Sequence, residues 1–335
     1  MKEDNPIDRK RNSAGHAEIG TKEDGTILEM VKVGKRLIVI KDKSIYEFFM
    51  ADSIDPERKN INLPSNIQKM LFEQGAESEI VARTFLTAKT LFQADLYDES
   101  VDIEKALTLS LGLLQELLVL EQEINDYLLK EEKVSAEYES RKEQKLSYAI
   151  PSINDVETRC KTIFQKADHI EQILIEIATI FYPDQGLNKQ SRMVSIYEMS
   201  KKNYGEEDSF SKLTAKTLDF MRLVREMRNG LDHRLSTVKV TDFELQADSN
   251  ILTPTIELKH KSVKLEREAL SAFLPVIVPN MLYIFENIVA HIGNKKSKKE
   301  IMSYTVREIP EEKRRYKHVK YCFWTPIGEG GYYNQ

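Results

Sequence analysis

The residues best placed to do chemistry lie in one short stretch, Arg225-Glu226-Met227-Arg228-Asn229-Gly230-Leu231-Asp232-His233. Arginine keeps its charge at any ordinary pH, and histidine gains and loses a proton near neutrality. Leu213, Thr217, Phe220, Met221, Val224, Met227 and Leu231 recur at steps of three and four. The stretch therefore closes an amphipathic helix that begins near Ser211. Arg228 follows Met221 by two turns and falls close to the buried face, where a guanidinium needs a partner or a job. On an unbroken helix His233 would stand roughly 140° from it. Gly230 offers a left-handed residue that ends the helix, and a turn there would bring His233 back beside Arg228.

Arg-Asn-x-x-x-His at the end of an apolar helix resembles the signature of the HEPN family. That signature is an Arg, usually followed by a polar residue such as Asn, and a His after four to six intervening residues. Arg228, Asn229 and His233 fit it with four. The family consists of helical bundle domains, often ribonucleases of toxin–antitoxin and phage-defence systems. The resemblance implies metal-independent endoribonuclease activity with no cofactor. A 2′-hydroxyl attacks the adjacent phosphorus, leaving a cyclic phosphate and a 5′-hydroxyl. His233 would transfer a proton, Arg228 would steady the phosphorane charge, and Asn229 would position the imidazole or bind a phosphate. Two protomers commonly face each other in the family, so a homodimer is implied, with RNA as substrate. A further partner protein, an antitoxin or another defence component, would restrain the activity.

Each residue also has a plainer reading. Arg228 can form a structural ion pair with a neighbouring helix, and His233 can sit favourably at a helix C-terminus. On that reading the chain is a non-catalytic dimerisation or nucleotide-binding scaffold. Other chemistries find little support. His169, His260, His291 and His318 are scattered, without HxxxH or HExxH spacing, and there is no Walker loop, GxGxxG or GxSxG. Glu121 and Glu123 lack the Glu-x-x-His partner of a di-iron bundle. Cys160 and Cys322 are too far apart for a CxxC motif, so a disulfide framework and a Cys zinc site are excluded on spacing.

The cysteine usage suits a reducing cytosol, and Met1-Lys2-Glu3-Asp4-Asn5-Pro6 leads into no apolar run, so a cytoplasmic protein without a signal peptide is expected. The most apolar stretch, 269–292, contains two prolines, Asn280, Glu286, Asn287 and His291 and reads as a buried helix, not a membrane span. Net charge is −5, but residues 201–335 hold 23 Lys+Arg against 18 Asp+Glu, while residues 1–200 hold 26 against 36. A nucleic-acid surface, which needs a local basic patch, is expected in the C-terminal part; the milder alternative is solvated helix surface.

Only 13 Gly and 10 Pro in 335 residues favour long helices, and the expected fold is mainly α. Residues 1–25 are polar and read as a flexible terminus. Residues 26–150 read as a β-hairpin at 26–50 followed by helices, the first around Ile67, Met70 and Leu71 with Ser65 as its cap. Asp102 caps a long Leu-rich helix that would reach Ser147, with a kink near Lys130 or a projecting arm. Residues 151–293 read as helices in the order long, short, long, then a β-hairpin at 237–258, then a last helix from Lys264 to Gly293 bent at Pro275 and Pro279. This order resembles a HEPN bundle with an inserted hairpin. Residues 294–335 read as a basic tail, whose run Lys313-Arg314-Arg315-Tyr316-Lys317-His318 suits RNA stacking or plain solvation.

Overall fold

Short runs rich in β-branched and aromatic residues, bounded by turn residues, mark Ile27–Val33, Arg36–Lys41 and Ile45–Met50, and in the computed structural model these form strands β1, β2 and β3. The structure describes residues 5–13, 17–143, 149–298, 304–328 and 330–335. Contacts divide it into two units, Met1–Thr108 with Lys298–Gln335, and Leu109–Ser297.

The first unit opens with helix α1 (Pro6–Asn12), capped by the Asn5 side chain. Gly34 takes φ +63° in the β1–β2 turn, a conformation that glycine adopts at little cost. Strand β4 (Asn66–Phe72) then adds to β3, giving an antiparallel sheet in the order β1-β2-β3-β4. The helix expected around Ile67, Met70 and Leu71 is therefore a strand. Steps of three and four are ambiguous over so short a run, and pairing with β3 decides the matter. Helices α2 (Glu79–Val81) and α3 (Thr87–Leu91) flank a π-helical stretch, Ala82–Leu86. Helix α4 (Ile103–Glu143) follows, and the Asp102 carboxylate accepts the Lys105 amide as an N-cap should. It is unbroken at Lys130; the expected end at Ser147 lies outside the described residues.

In the second unit α4 runs antiparallel to α5 (Val156–Phe181), with Glu116 paired to Lys166 and Lys130 to Asp155. Helices α6 (Met193–Tyr204) and α7 (Ser209–Asp232) pack on α5. Strands β5 (Val238–Thr241), β6 (Glu244–Leu245), β7 (Ile251–Leu252), β8 (Thr255–His260) and β9 (Val263–Ala269) come next. They form a three-stranded sheet, β5-β8-β9, which lies against α7, and a small β6-β7 hairpin. The expected hairpin is thus only part of the β structure here, and β9 replaces the first turns of the expected last helix. Alternation of Val263, Leu265 and Arg267 with charged neighbours fits a strand that pairs with β8. The chain then passes through α8 (Leu270–Phe273) and a 3₁₀ turn holding Pro275 into α9 (Ile277–Lys296). Pro279 sits in the first turn of α9, where a missing N–H is tolerated, so it need not bend the helix. Among the described residues, Leu270–Lys296 is the one segment long and apolar enough to cross a membrane. Its Ile277, Met281, Phe285, Ile288 and Ile292 are buried in this unit, and α9 packs against α5 and α7.

The chain returns to the first unit as strands β10 (Thr305–Glu308), β11 (Tyr321–Thr325) and β12 (Tyr332–Asn334), an antiparallel sheet where a basic tail was expected. Tyr97, Tyr304 and Phe323 meet edge to face beneath it. Glu29 of β1 binds Lys89, Arg315 and the Tyr316 hydroxyl, so part of the basic run is engaged inside the unit. The described residues are 51% helical and 19% strand, with four sheets. The mainly α, HEPN-like helical bundle expected from the sequence is therefore corrected to a mixed α/β architecture. Helix periodicity masked short strands such as β4 and β9, which declare themselves only by pairing with the strand before them.

Candidate functional site

Helix α7 carries Arg228, and its local sequence explains its course. The Asp208 carboxylate caps it by accepting the Phe210 amide. Leu213, Thr217, Met221, Val224, Met227 and Leu231 are buried, whereas Phe220 stays partly exposed. Gly230 does not end the helix. It remains helical because β5 crosses it, and an added Cβ would overlap the Val238 side chain. The left-handed residue is Arg234, at φ +52°. The His233 amide donates to the Asn229 carbonyl and the Leu235 amide to the Gly230 carbonyl, which closes the helix with a Schellman-type turn.

The turn comes too late to fold His233 back. No hydrogen bond or ion pair joins it to Arg228 among the described residues, and its side chain points to solvent. The expected apposition within one chain is therefore replaced by two groups at successive turns of one helix end.

Arg228 is held from two directions. Its Nε lies 2.8 Å from Asp232 Oδ2 and 4.0 Å from Asp168 Oδ2. Its Nη1 donates to Asn229 Oδ1 at 3.1 Å, so Asn229 orients the guanidinium, not the imidazole. Nη2 makes no hydrogen bond to the described residues, and the side chain is 32% exposed. The guanidinium is thus fixed on its Nε edge and open on the other.

The anchoring residues come from α5, and sequence reading missed them. Asp232 Oδ1 accepts from Gln165 Nε2 at 2.7 Å and pairs with Lys161 at 3.2 Å. Burial works to raise its carboxyl, but the hydrogen bonds from Gln165 and Lys161 and the charge of Arg228 outweigh it and hold Asp232 below the ordinary carboxylate range. Asp168 is 1% exposed; its Oδ2 accepts from Gln172, and its Oδ1 has no hydrogen-bond partner among the described residues. One turn on, buried Glu171 accepts the Met193 amide at 2.8 Å, and burial pushes its carboxyl up. Lys161, Gln165 and Asp168 thus form a polar ladder facing Asp232 and Arg228, and Glu171 continues it toward Met193. Its sequence signal was an acid inside the apolar face between Phe164 and Ile170, but the partners are more than 50 residues away.

Beside this end of α7 opens a cleft of about 1020 Å³, lined in part by Lys161, Gln165, Gly230, Arg234, Lys239 and Asp242. Asp242 shapes its rim by accepting the amides of Ile153 and Asn154 and the Ser152 hydroxyl. The cleft can take an extended polar ligand; its cations Lys161, Arg234 and Lys239 share the lining with the carboxylates Asp155, Glu157 and Asp242, and Lys161 is paired with Asp232. No protein-family model, curated protein or solved structure matches the chain.

Proposed function

We propose that this chain is a metal-independent endoribonuclease of HEPN type, a toxin or defence effector that works in the cytoplasm as a homodimer. The observation that carries this reading is the state of Arg228, held by Asp232 and Asn229 with Nη2 open, one turn before a solvent-facing His233. A guanidinium that is already oriented binds a phosphate without first losing its rotamer freedom. In the reaction, His233 takes the proton of the 2′-hydroxyl as its oxygen attacks phosphorus. The phosphorane charge meets Arg228, and the 5′-oxygen leaves with a proton from a second imidazole. His233 of a second copy supplies that proton, because one imidazole cannot reach both oxygens at once. The cleft beside α7 holds the flanking phosphates through Lys161, Arg234 and Lys239.

Incubating pure protein with total RNA in EDTA tests the proposal. Fragments with 2′,3′-cyclic phosphate and 5′-hydroxyl ends are expected. Fragments with 5′-phosphate ends, or cleavage abolished by EDTA, would refute the mechanism. A second reading rests on the α5–α7 ladder, which gives Arg228 a structural task in a non-catalytic scaffold. That reading predicts RNA left intact.

A further inference from the structure

A second cationic site lies in the same unit, where the start of α6 meets α7. Arg192, Arg222 and Arg225 converge there on a pocket of about 60 Å³ beside Glu171 and Met193. A water needs about 10–15 Å³ of such space, so the pocket holds a few waters, the scale of an oxyanion head.

The charges around it are poorly balanced. Glu171 is the one carboxylate lining the pocket, and its Oε1 is taken by the Met193 amide. Among the described residues Arg222 is paired with Asp219 alone, at 3.4 Å, and that carboxylate is 91% exposed and so well screened. Arg225 spends Nε and Nη2 on Glu226, which leaves its Nη1 without a hydrogen bond among the described residues. Arg192 Nη1 is enclosed by protein and has no hydrogen-bond partner among the described residues. A buried guanidinium N–H without an acceptor is costly, and an anion in the pocket would supply one.

We propose that Arg192, Arg222 and Arg225 form a binding site for a phosphoryl group, distinct from the Arg228–His233 site. Three guanidinium groups from two elements, each with at least one N–H to spare, suit a tetrahedral oxyanion, whose oxygens can serve all three; a carboxylate has only two. The phosphoryl group is either free phosphate or the terminal phosphate of a nucleic acid. The proposal does not depend on RNA cleavage.

The test is calorimetric titration of the full chain at constant ionic strength. The titrants are inorganic phosphate, a 5′-phosphorylated oligodeoxynucleotide and its 5′-hydroxyl counterpart; a deoxy strand has no 2′-hydroxyl and resists the proposed cleavage. One phosphate per chain is expected, from the free ion or only from the phosphorylated strand, and that contrast identifies the source. Arg222→Gln and Arg192→Gln should each weaken binding at least about tenfold, the scale of one lost charge-assisted hydrogen bond. Arg222 is partly exposed, so its variant should keep the wild-type circular dichroism spectrum. Lys216→Gln, an exposed position of α7 outside both sites, should bind as wild type does, which separates specific binding from the general charge of the helix. Binding no stronger than chloride, equal binding by the 5′-hydroxyl strand, or full affinity in Arg222→Gln would overturn the proposal.

Discussion

Arg228 is held in an ion-paired ladder and is proposed to meet the phosphorane, and its substitutions should separate the two. Arg228→Ala removes the guanidinium proposed to meet the phosphorane, a loss of about 10²–10³ in rate. It also strips the nearest cation from Asp168, which is 1% exposed and has one free oxygen. Melting temperature should therefore fall as well, by an amount equivalent to about 1–3 kcal/mol. Arg228→Lys should recover part of the stability and little of the rate, because an ammonium lacks the fork. Asp232 gives a pH signature. Its folded carboxyl is held below the ordinary range, so its contribution to stability is full above the unfolded value and disappears as pH falls through the folded one. Asp232→Asn should lower stability at pH 7 and flatten the loss of stability below about pH 4, measured by thermal melts across that range. Equal melting temperatures at pH 7 would show that the ladder contributes nothing. Arg228, Asn229 and His233 were legible as a motif because they are neighbours in sequence. Lys161, Gln165 and Asp168 were not, because helix packing, not spacing, brings them to Arg228.

The end of α7 is the element on which the account turns, and its backbone makes distinct predictions. Gly230 looked like a helix terminator but serves close packing against Val238. Gly230→Ala should therefore destabilise by about 1–3 kcal/mol through overpacking, although alanine is the better helix former. Val238→Ala in the same chain should relieve the clash, and a double-mutant cycle by urea unfolding would measure the coupling. Additive effects would contradict the contact. Arg234 bears the left-handed conformation instead. Arg234→Gly should stabilise by about 0.5–1 kcal/mol, the strain relieved less the entropy glycine adds to the unfolded chain. The long helices were readable from periodicity, as were the first three strands and the Asp102 cap. Strands β4 and β9 were not, since runs of seven residues fit helix and strand patterns alike and only their pairing partners decide.

At the scale of the whole molecule, low Gly and Pro content suggested an α protein, yet the described residues form two units with four sheets. The C-terminal sheet was hidden because its basic residues dominated the reading, while Tyr304, Cys322 and Phe323 supplied a strand and a core. The proposed reaction needs two imidazoles, so light scattering at micromolar concentration should give a dimer; a strict monomer would remove the second proton donor. His233→Ala offers the cleanest view of the central claim. The side chain is exposed and makes no hydrogen bond to the described residues, so its loss should leave the melting temperature unchanged. The decisive measurement is the rate of RNA cleavage in EDTA by wild type and by His233→Ala at equal concentration. A fall of about 10²–10⁴ in the variant is expected. Equal rates in the two proteins, or RNA left intact by the wild type, would contradict it.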